Sequence, residues 1–437
     1  MRLISLTFKP VFTLVLVSIF PSALFAQYET TQTIGTALPP KLLITDVNIL
    51  RMDGEAPIIL SNYSVLIEEN KIVKVAPLSK LANVDSANIV KGQGRFLLPG
   101  LIDVHVHIWD EPELAAYLSF GVTTVRNVSG MPFHLTFMKE IEAGNIVGPR
   151  LITTGPILNG QGPNTQVNHQ IVNNAKEASE AVRQQYQQGY RHLKVYSNLT
   201  RQAYDTILYE SQKLGMTIMG HTPEGERTPE IPHNKPFNIA FNELLDDSFV
   251  SIEHMESIVW HALSNELNEN KVRRLAKKIS NSNTAITPTL IAHNNLILVA
   301  QSQGEYLQRP TVNLLNPFIS ALEKESYDYW SSQSPSFRKE FDEFYLVATK
   351  IFQEEGVTLL AGTDSGIFTN VPGLSLIEEL KLMVQAGLTP FQALKTATIN
   401  PAKVLKLERQ LGKIEPGFIA DLILVNGDPT KDILNLK

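Results

Sequence analysis

Hydrophobic and polar positions divide the chain into zones with different periodicities. Residues 41–98 contain short apolar runs separated by turn residues: KLLITDVNIL, YSVLIEENKIVKVAP and ANIVKGQGRFLLPG. Short runs rich in β-branched residues predict β-strands, and EENK predicts a hairpin turn. The same pattern returns near the end of the chain in LGKIEPGFIADLILVNGD. We therefore expect residues 405–437 to join residues 41–98 in a small β-sandwich domain.

The central part of the chain, residues 99–404, has a different rhythm. Eight strand-like runs occur in it: LIDVHVHI, GVTTVRNV, PRLITTG, YRHLKVYS, GMTIMGHT, SFVSIEHM, TAITPTL and GVTLLAGTD. Helical patterns such as AKEASEAVRQQYQQG and RQAYDTILYESQKLG lie between them, and both end at a glycine. Eight strands alternating with helices predict an α/β fold, a parallel (β/α)8 TIM-like barrel inserted into the small β-domain.

The N-terminal residues differ from the rest of the chain. MRLISLTFK carries two basic residues, PVFTLVLVSIFPSALFA is apolar, and a polar segment follows. This layout predicts a signal peptide over residues 1–26, cleaved after Ala26, with a linker over residues 27–40. An uncleaved N-terminal anchor is the alternative. We expect an exported protein, periplasmic or secreted, without stable membrane insertion after cleavage, because no later run is long enough to span a bilayer.

Composition narrows the function classes. The chain has 437 residues, 43% of them hydrophobic and 19% charged, with a net charge of −6. A weakly acidic balance without basic clusters argues against nucleic acid as a partner. Cysteine is absent, so a metal site would use nitrogen and oxygen ligands. The composition leaves open whether the chain forms a homo-oligomer.

Histidines and an aspartate end several of the predicted barrel strands. His105 and His107 in LIDVHVHI are two residues apart and therefore project to one face of the first strand. Alone, such a pair is also compatible with two solvated histidines. His221 ends GMTIMGH, His254 ends SFVSIEH and Asp364 ends GVTLLAGTD. Barrel active sites lie at the carboxyl ends of the strands, and imidazole with carboxylate suits zinc or another divalent ion.

A lysine lies within the fourth predicted strand. Burying Lys194 of RHLKVYS without a partner would be costly. One interpretation is a salt-bridged lysine. The other is a lysine that reacts with CO₂, because the resulting carbamate is an anionic ligand that can bridge two metal ions. Tyr196 shares the face of Lys194 and could direct its phenol at a bound substrate.

These features together resemble the amidohydrolase superfamily. HxH on the first strand, lysine on the fourth, histidines on the fifth and sixth and aspartate on the eighth follow its pattern. Similar motifs extend over residues 41–433: LLPGLIDVHVH, GVTTVRN, SIEHM, AGTDSG, VQAGLTPFQALKTATINPAKVL and LGKIEPGFIADLILV. Within the superfamily the chain is most similar to the imidazolonepropionase-like and Xaa-Pro-dipeptidase-like branch.

The resemblance implies a binuclear centre of two divalent metal ions, with Zn²⁺ the default expectation. His105, His107 and Asp364 would bind one ion. His221 and His254 would bind the other, and carboxylated Lys194 would bridge the two.

The resemblance also implies hydrolysis of an amide or peptide C–N bond in a small-molecule or dipeptide substrate. Asp364 would take the proton of the attacking hydroxide and deliver it to the leaving amine. Tyr196 or His254 would help to polarise the carbonyl. Dipeptides, N-acyl amino acids and cyclic amides all remain open as substrates.

Two departures keep rival functions open. His221 and Glu224 form H-x-x-E, a spacing at which mononuclear deaminases of the superfamily place a proton-shuttling glutamate. The loop-like surroundings favour an exposed carboxylate instead, and Lys194 argues for two metals. Many relatives have SLHxEL after the eighth strand, whereas this chain has Ile377 at the histidine position. A non-catalytic metal-binding protein would be expected to lack a ligand, and all six are present.

Loops after the strands are expected to determine specificity. GPILNGQGPNTQVNHQ contains His169, which together with Arg126 is a candidate substrate contact; surface hydrogen bonding is the alternative for both. The other histidines are predicted to be structural or solvated: His134, His192, His233, His261 and His293.

Overall fold

A computed structural model describes residues 41–81, 87–162, 165–166, 168–226 and 237–437. These residues belong to one compact unit. The predicted signal peptide and linker, residues 1–40, lie outside the described residues, as does His233. In the described ranges, every helix is too short or too polar to cross a bilayer.

Most of the described strands coincide with predicted runs, but Ile157–Asn159 and His169–Ile171 lie in a segment predicted to be a loop. In chain order the strands are β1 (Lys41–Arg51), β2 (Ile58–Glu68), β3 (Lys71–Pro77), β4 (Asn88–Pro99), β5 (Leu101–Val106), β6 (Val122–Asn127), β7 (Arg150–Thr153), β8 (Ile157–Asn159), β9 (His169–Ile171), β10 (His192–Val195), β11 (Thr217–Gly220), β12 (Phe249–Glu253), β13 (Ala285–Thr287) and β14 (Leu422–Val425).

Helices fill most of the intervals between the strands after β5. They are α1 (Pro112–Ser119), α2 (Pro132–Glu142), α3 (Ala175–Gln188), α4 (Arg201–Leu214), α5 (Phe241–Leu244), α6 (Met255–Leu263), α7 (Glu269–Ser280), α8 (Leu290–Gln301), α9 (Pro317–Leu322), α10 (Lys324–Ser331), α11 (Lys339–Glu354), α12 (Leu374–Ala386), α13 (Pro390–Thr396) and α14 (Ile399–Val404). Short 3-10 helices occupy Leu78–Lys80, Glu305–Gln308, Pro310–Leu314 and Ile433–Leu436.

The N-terminal strands form a sheet in the order β14-β4-β1-β2-β3. The predicted hairpin between β2 and β3 is confirmed, with Glu69 in the left-handed conformation at its turn (φ 54°). The C-terminal β14 pairs antiparallel with β4, from Leu422 opposite Pro99 to Val425 opposite Phe96. The ends of the chain are thus joined in one sheet. A second sheet, which a sandwich would require, is not formed by these strands, so the sandwich stays a prediction.

The remaining strands pair only in parallel. One sheet has the order β13-β12-β11-β10-β8-β9 and another the order β5-β6-β7. This confirms the α/β class with a parallel-strand core. Helices α3 and α4 end, as predicted, at Gly189 and Gly215 in the left-handed conformation.

The eighth predicted strand, GVTLLAGTD, is not a continuous strand but connects the two parallel sheets. The Leu360 N–H donates to the carbonyl of Ile286 in β13 (2.9 Å), and the Val104 N–H of β5 donates to the carbonyl of Ala361 (3.1 Å). On the other side, the Gly155 N–H after β7 donates to the carbonyl of His192 in β10 (3.0 Å). The carboxyl ends of these parallel segments therefore share one edge, where the candidate site lies.

Candidate metal centre

Three predicted ligands converge at the end of β5 and at the end of residues 357–364, the segment that contains the predicted eighth strand. His105, His107 and Asp364 each offer a ligand atom, and these atoms lie within 4.8 Å of one another. Asp364 Oδ1 is 3.0 Å from His105 Nε2 and 3.1 Å from His107 Nε2. Burial by itself raises the pKa of Asp364, but the imidazoles of His254 and His105 more than offset it and hold this pKa well below its usual range. The group is a buried set of two imidazoles and an ionised carboxylate.

His221 and His254 lie beside this triad, at the ends of β11 and β12. Their ring centroids are 4.2 Å apart, and the ring of His254 is 4.6 Å from that of His105. Burial lowers the pKa of both imidazoles, that of His254 to about 3, which favours the neutral form that metal binding requires. Nδ1 of His221 and Nε2 of His254 are buried and have no hydrogen-bond partner among the described residues.

Lys194 reaches the same place from β10. Its side chain is buried, and its Nζ lies 3.3 Å from His105 Nε2. Within the described part of the chain no carboxylate lies within 4.0 Å of this Nζ, so the salt-bridged lysine is not found there. Burial lowers the pKa of Lys194 to about 8, although the carboxylates of Glu253 and Asp364 oppose this shift. A larger share of the amine is therefore unprotonated at neutral pH than for an exposed lysine.

Glu253 is a site residue that the sequence analysis did not identify. Its Oε2 lies 2.7 Å from Nδ1 of His105, and its Oε1 accepts a hydrogen bond from Arg126 Nη2 at 3.0 Å. Burial opposes ionisation, yet the charges of Arg126 and His105 lower the pKa of Glu253 far below its usual range. Holding Nδ1 in this way directs Nε2 of His105 toward a metal. The signal in the sequence was Ser251 and Glu253, two polar residues on one face of a buried strand.

Arg126 was predicted to contact substrate or solvent, and this prediction is wrong. The side chain is fully buried between β5, β6 and β12. Its Nε donates to the carbonyl of Val104 at 2.6 Å, and Nη2 also donates to Ser251 Oγ at 2.9 Å. Successive side chains of a strand point to opposite faces, so an arginine can point into the interior. It is tolerated there when a buried carboxylate balances its charge. Arg126 supports Glu253 instead of meeting a substrate.

His107 and His254 are also held through a second ring nitrogen. Nδ1 of His107 lies 2.8 Å from Ser129 Oγ, and Nδ1 of His254 lies 2.7 Å from Thr289 Oγ1. His254, Thr289 and Asp364 all adopt positive φ (69°, 46° and 55°). Such conformations are costly for residues other than glycine and cluster at functional sites.

Tyr196, which was predicted to share the face of Lys194 and to direct its phenol at a substrate, lies against His221. Its ring centroid is 3.9 Å from that of His221 and 4.8 Å from that of His169. Burial, aided by the carboxylates of Asp364, Glu256 and Glu224, raises the pKa of Tyr196 above its usual range. The phenol therefore keeps its proton. His169 is half-buried, and its Nδ1 accepts a hydrogen bond from the backbone N–H of Gln166 at 3.3 Å, so it lies beside Tyr196 at the rim of the site.

Glu224 was predicted to be an exposed loop carboxylate, and this prediction is wrong. Only 5% of the residue is exposed. Its backbone N–H donates to the carbonyl of Ser197 after β10, and its own carbonyl accepts from Ile239 N–H. These two bonds draw the loop after β11 inward.

Ile377 is fully buried in α12 and belongs to the apolar core, so an apolar residue suits that position.

The remaining histidines in the described ranges, predicted to be structural or solvated, are held by hydrogen bonds to the protein. Nε2 of His134 lies 2.8 Å from the carbonyl of Ile108 and Nε2 of His261 lies 2.8 Å from that of Ile239. Nδ1 of His192 lies 2.6 Å from Thr217 Oγ1 and Nδ1 of His293 lies 3.2 Å from Asp342 Oδ1.

Comparisons with known proteins find relatives that cover most of the chain. The chain is 24% identical over 417 residues to the 5-methylthioadenosine/S-adenosylhomocysteine deaminase of Clostridium tetani, covering 88% of this chain and 85% of that one. It is 23% identical over 413 residues to the imidazolonepropionase of Shewanella baltica, covering 87% and 90%. A crystal structure of a Xaa-Pro dipeptidase with bound methionine in its active site superposes with a TM-score of 0.65 at 21% identity, covering 91% and 96%.

The dipeptidase structure shares its fold with this chain, and all three relatives bear the names of enzymes. They include enzymes that cleave C–N bonds in different substrates, so likeness to them selects no single substrate. Residues 96–437, which contain all six predicted ligands, match the family described as Amidohydrolase family. The chain therefore belongs to the amidohydrolase family and is a hydrolase acting on C–N bonds.

Proposed function

We propose that this chain hydrolyses an amide or peptide C–N bond in a small substrate such as a dipeptide, an N-acyl amino acid or a cyclic amide, using two divalent metal ions. The observation that carries the proposal is the position of Lys194. Its Nζ lies against His105 in a buried site, without a carboxylate ion pair in the described structure. A carbamate formed there would face both histidine sets.

The side chains present fit a pair of metal ions, Zn²⁺ being our choice. His221 Nδ1 and His254 Nε2 are buried polar atoms without a hydrogen-bond partner in the described ranges, as expected of nitrogens meant for a ligand. His105, His107 and Asp364 would hold one ion, His221 and His254 the other. When bound, such ions acidify water to supply a nucleophile at neutral pH and polarise the scissile carbonyl.

The protein side chains would manage the protons of the reaction. Asp364 is ionised in the resting site, so it can accept a proton from the nucleophile and deliver it to the leaving nitrogen. Tyr196 keeps its proton and can donate a hydrogen bond to the carbonyl oxygen as charge develops there. His254 was the other predicted helper, but it cannot donate to the carbonyl while Nε2 holds a metal ion, because its Nδ1 is bound to Thr289.

One observation favours a second function. Because Glu224 is buried and contributes to the raised pKa of Tyr196, it lies near the site and could carry protons in a mononuclear aminohydrolase. The similarity to a deaminase along most of the chain supports this candidate.

We further propose a closed (β/α)8 barrel, which the bonds from the 357–364 segment to β5 and β13 support.

Export with cleavage after Ala26 is also proposed, because residues 1–26 begin with a basic segment that an apolar segment follows. N-terminal sequencing of protein from the periplasmic fraction would test the cleavage, and a retained Met1 would contradict it.

A paired measurement separates the two enzyme functions. The protein is loaded with Zn²⁺, its metal content is measured by plasma mass spectrometry, and dipeptides, N-acyl amino acids, cyclic amides and aminated heterocycles are screened. Two ions per chain with amine release from an amide would support the hydrolase. One tightly held ion with ammonia release that depends on Glu224 would replace it with the aminohydrolase.

A further inference from the structure

Arg338 is a cation whose hydrogen-bonding capacity is largely unused. Its guanidinium carbon lies 4.8 Å from the ring centroid of Phe341, and Nη2 is 3.5 Å from Tyr345 Oη and 3.7 Å from Glu256 Oε1. Both distances are too long for a strong charge-assisted hydrogen bond. The Nε atom is buried and has no acceptor among the described residues. A partly buried guanidinium held this way lacks an anion that fits its planar fork.

His293 lies near Arg338, because both side chains contact Tyr345. The residue is 8% exposed, and its Nδ1 lies 3.2 Å from Asp342 Oδ1. Its ring centroid is 4.9 Å from that of Tyr345, the residue that Arg338 also contacts. Nε2 of His293 is buried and has no hydrogen-bond partner in the described structure. Two polar side chains with unused nitrogens thus flank Tyr345.

This group of side chains borders the candidate metal centre on the side of His254. Glu256 follows His254 by two residues, and its Oε1 lies 3.7 Å from Arg338 Nη2. Thr289, which bonds His254, lies one helical turn before His293 at the start of α8. The group formed by Arg338, His293 and Tyr345 is therefore continuous with the site, and we call it the arginine wall.

We propose that the arginine wall binds the carboxylate of an amino-acid leaving group and so selects N-acyl amino acids or dipeptides as substrates. This inference rests on the proposed amide hydrolysis and narrows it. In such substrates the carboxylate is attached to the carbon next to the scissile nitrogen, so it accompanies the bond that is cut. A carboxylate matches the guanidinium fork in two hydrogen bonds, which the distant Glu256 does not provide.

The aromatic surroundings indicate the accompanying side chain. Trp330 lies 6.1 Å from His293 and 5.4 Å from Phe337 between ring centroids, and both Trp330 and Phe341 are half-buried. Aromatic walls bury large apolar groups favourably. An amino acid such as phenylalanine is therefore the appropriate probe.

Binding of the free amino acid tests the wall without requiring turnover. L-phenylalanine and L-phenylalaninamide, which lacks the carboxylate, are titrated into the Zn²⁺-loaded enzyme by calorimetry. We expect L-phenylalanine to bind about tenfold more tightly, and Arg338→Gln to abolish that preference. Arg273→Gln, which removes an α7 arginine bound to Glu354 and Glu355, is the matched control and should keep the preference. Glu256→Gln removes the competing carboxylate and should strengthen L-phenylalanine binding.

Each result decides the proposal. Equal affinities for the two probes in the wild type would overturn it, and so would a carboxylate preference that survives Arg338→Gln but disappears on metal chelation. If Arg338→Gln does not fold, the Glu256→Gln comparison decides, and unchanged binding would count against the wall. If Arg338→Gln loses the carboxylate preference but the wild type hydrolyses no amide, the arginine wall is retained and the proposed function is rejected. If the enzyme hydrolyses amides equally well with and without Arg338, the proposed function is retained and the arginine wall is rejected.

Discussion

Three histidines of the candidate centre are each anchored through Nδ1, and the anchors differ in strength. His105 is held by the ionised Glu253, whereas His107 and His254 are held by hydroxyl groups. A carboxylate anchor makes the imidazole a stronger ligand than a hydroxyl does. His105, which also adjoins Lys194, is therefore the ligand on which the centre depends most.

Replacing Lys194 tests the bridging role at the level of one side chain. We expect Lys194→Ala to reduce turnover by about 100-fold or more and to lower the metal content, because the bridge and its negative charge are lost. Short carboxylic acids such as propionate should restore part of the activity by taking the place of the carbamate. Lys213→Ala, at an exposed position in α4, is the control. Full activity of Lys194→Ala with two bound ions would contradict the bridge.

Removing Glu253 should destabilise the protein through the cation that it leaves behind. Arg126 is fully buried, so Glu253→Ala is expected to cost about 3–5 kcal/mol of unfolding free energy, measured by urea denaturation of metal-free protein. Adding Arg126→Met should recover much of this loss, because the pair is coupled. Glu266→Ala removes an exposed partner of Lys271 and should cost under about 1 kcal/mol. A similar small loss for Glu253→Ala would show that the buried pair is not the cause.

At the scale of elements, the helix α8 connects the site to the far side of the core. Its first residues receive no side-chain cap from Thr289. Instead Glu379 of α12 accepts the backbone N–H of Ile291 at 2.8 Å. Since Thr289 holds His254, the position of this ligand depends on a capping carboxyl group from a different helix. Glu379 is completely buried, and burial raises its pKa to about 8.

Because the pKa of Glu379 is raised in the folded protein, the unfolding free energy should fall as the pH rises. Between the ordinary pKa of 4.5 and the folded value of about 8, the unfolded chain loses the Glu379 proton while the folded chain keeps it. The unfolding free energy of the wild type should therefore fall relative to that of Glu379→Gln as pH rises through this window, by up to about 1.4 kcal/mol per pH unit. Parallel pH profiles in chemical denaturation would rule this out. Glu378→Gln, one residue away and less buried, is the comparison.

The loop after Asp364 is held by another group of helices. Phe368 and Thr369 both have positive φ, and the backbone N–H of Phe368 donates to Glu323 at the end of α9. Nη2 of Arg309 donates hydrogen bonds to the hydroxyl (3.2 Å) and to the backbone carbonyl of Thr369. These bonds stabilise a strained loop next to a ligand, and residues 305–331 thus serve the site although they contain no predicted ligand.

For the molecule as a whole, metal binding should add to stability. Ions that bind only the folded state add about 2.7 kcal/mol per site at a free concentration 100-fold above the dissociation constant. Chelation should therefore lower the thermal midpoint, and added Zn²⁺ should restore it in a concentration-dependent way. Asp364→Asn should lose most of this response. Calorimetric scans that are identical with and without chelator would contradict a metal centre.

The sequence predicted most of the strands, because each combines a short apolar run with flanking turn residues. The eighth, GVTLLAGTD, is not a continuous strand, although its backbone bonds to Ile286 of β13 and to Val104 and His105 of β5. The prediction for Glu224 failed because a loop-like composition does not show whether the backbone turns inward. Arg126 was misplaced for a related reason, since its compensating carboxylate lies on β12, 127 residues away.

The sequence by itself determined the order of strands and helices and the ligand types, because periodicity and residue chemistry are local properties. His105, His107, His221, His254 and Asp364 were predicted as ligands from strand ends and Lys194 from its place within an apolar strand, and the family resemblance implied how they would share two metal ions. Only the tertiary structure decided which carboxylates serve them: Glu253 behind His105, Glu379 at α8, and Glu224 drawn inward. It also brought together the arginine wall from α8 and the first half of α11. Burial and pairing depend on which distant segments meet, and that information is in the packing of the chain.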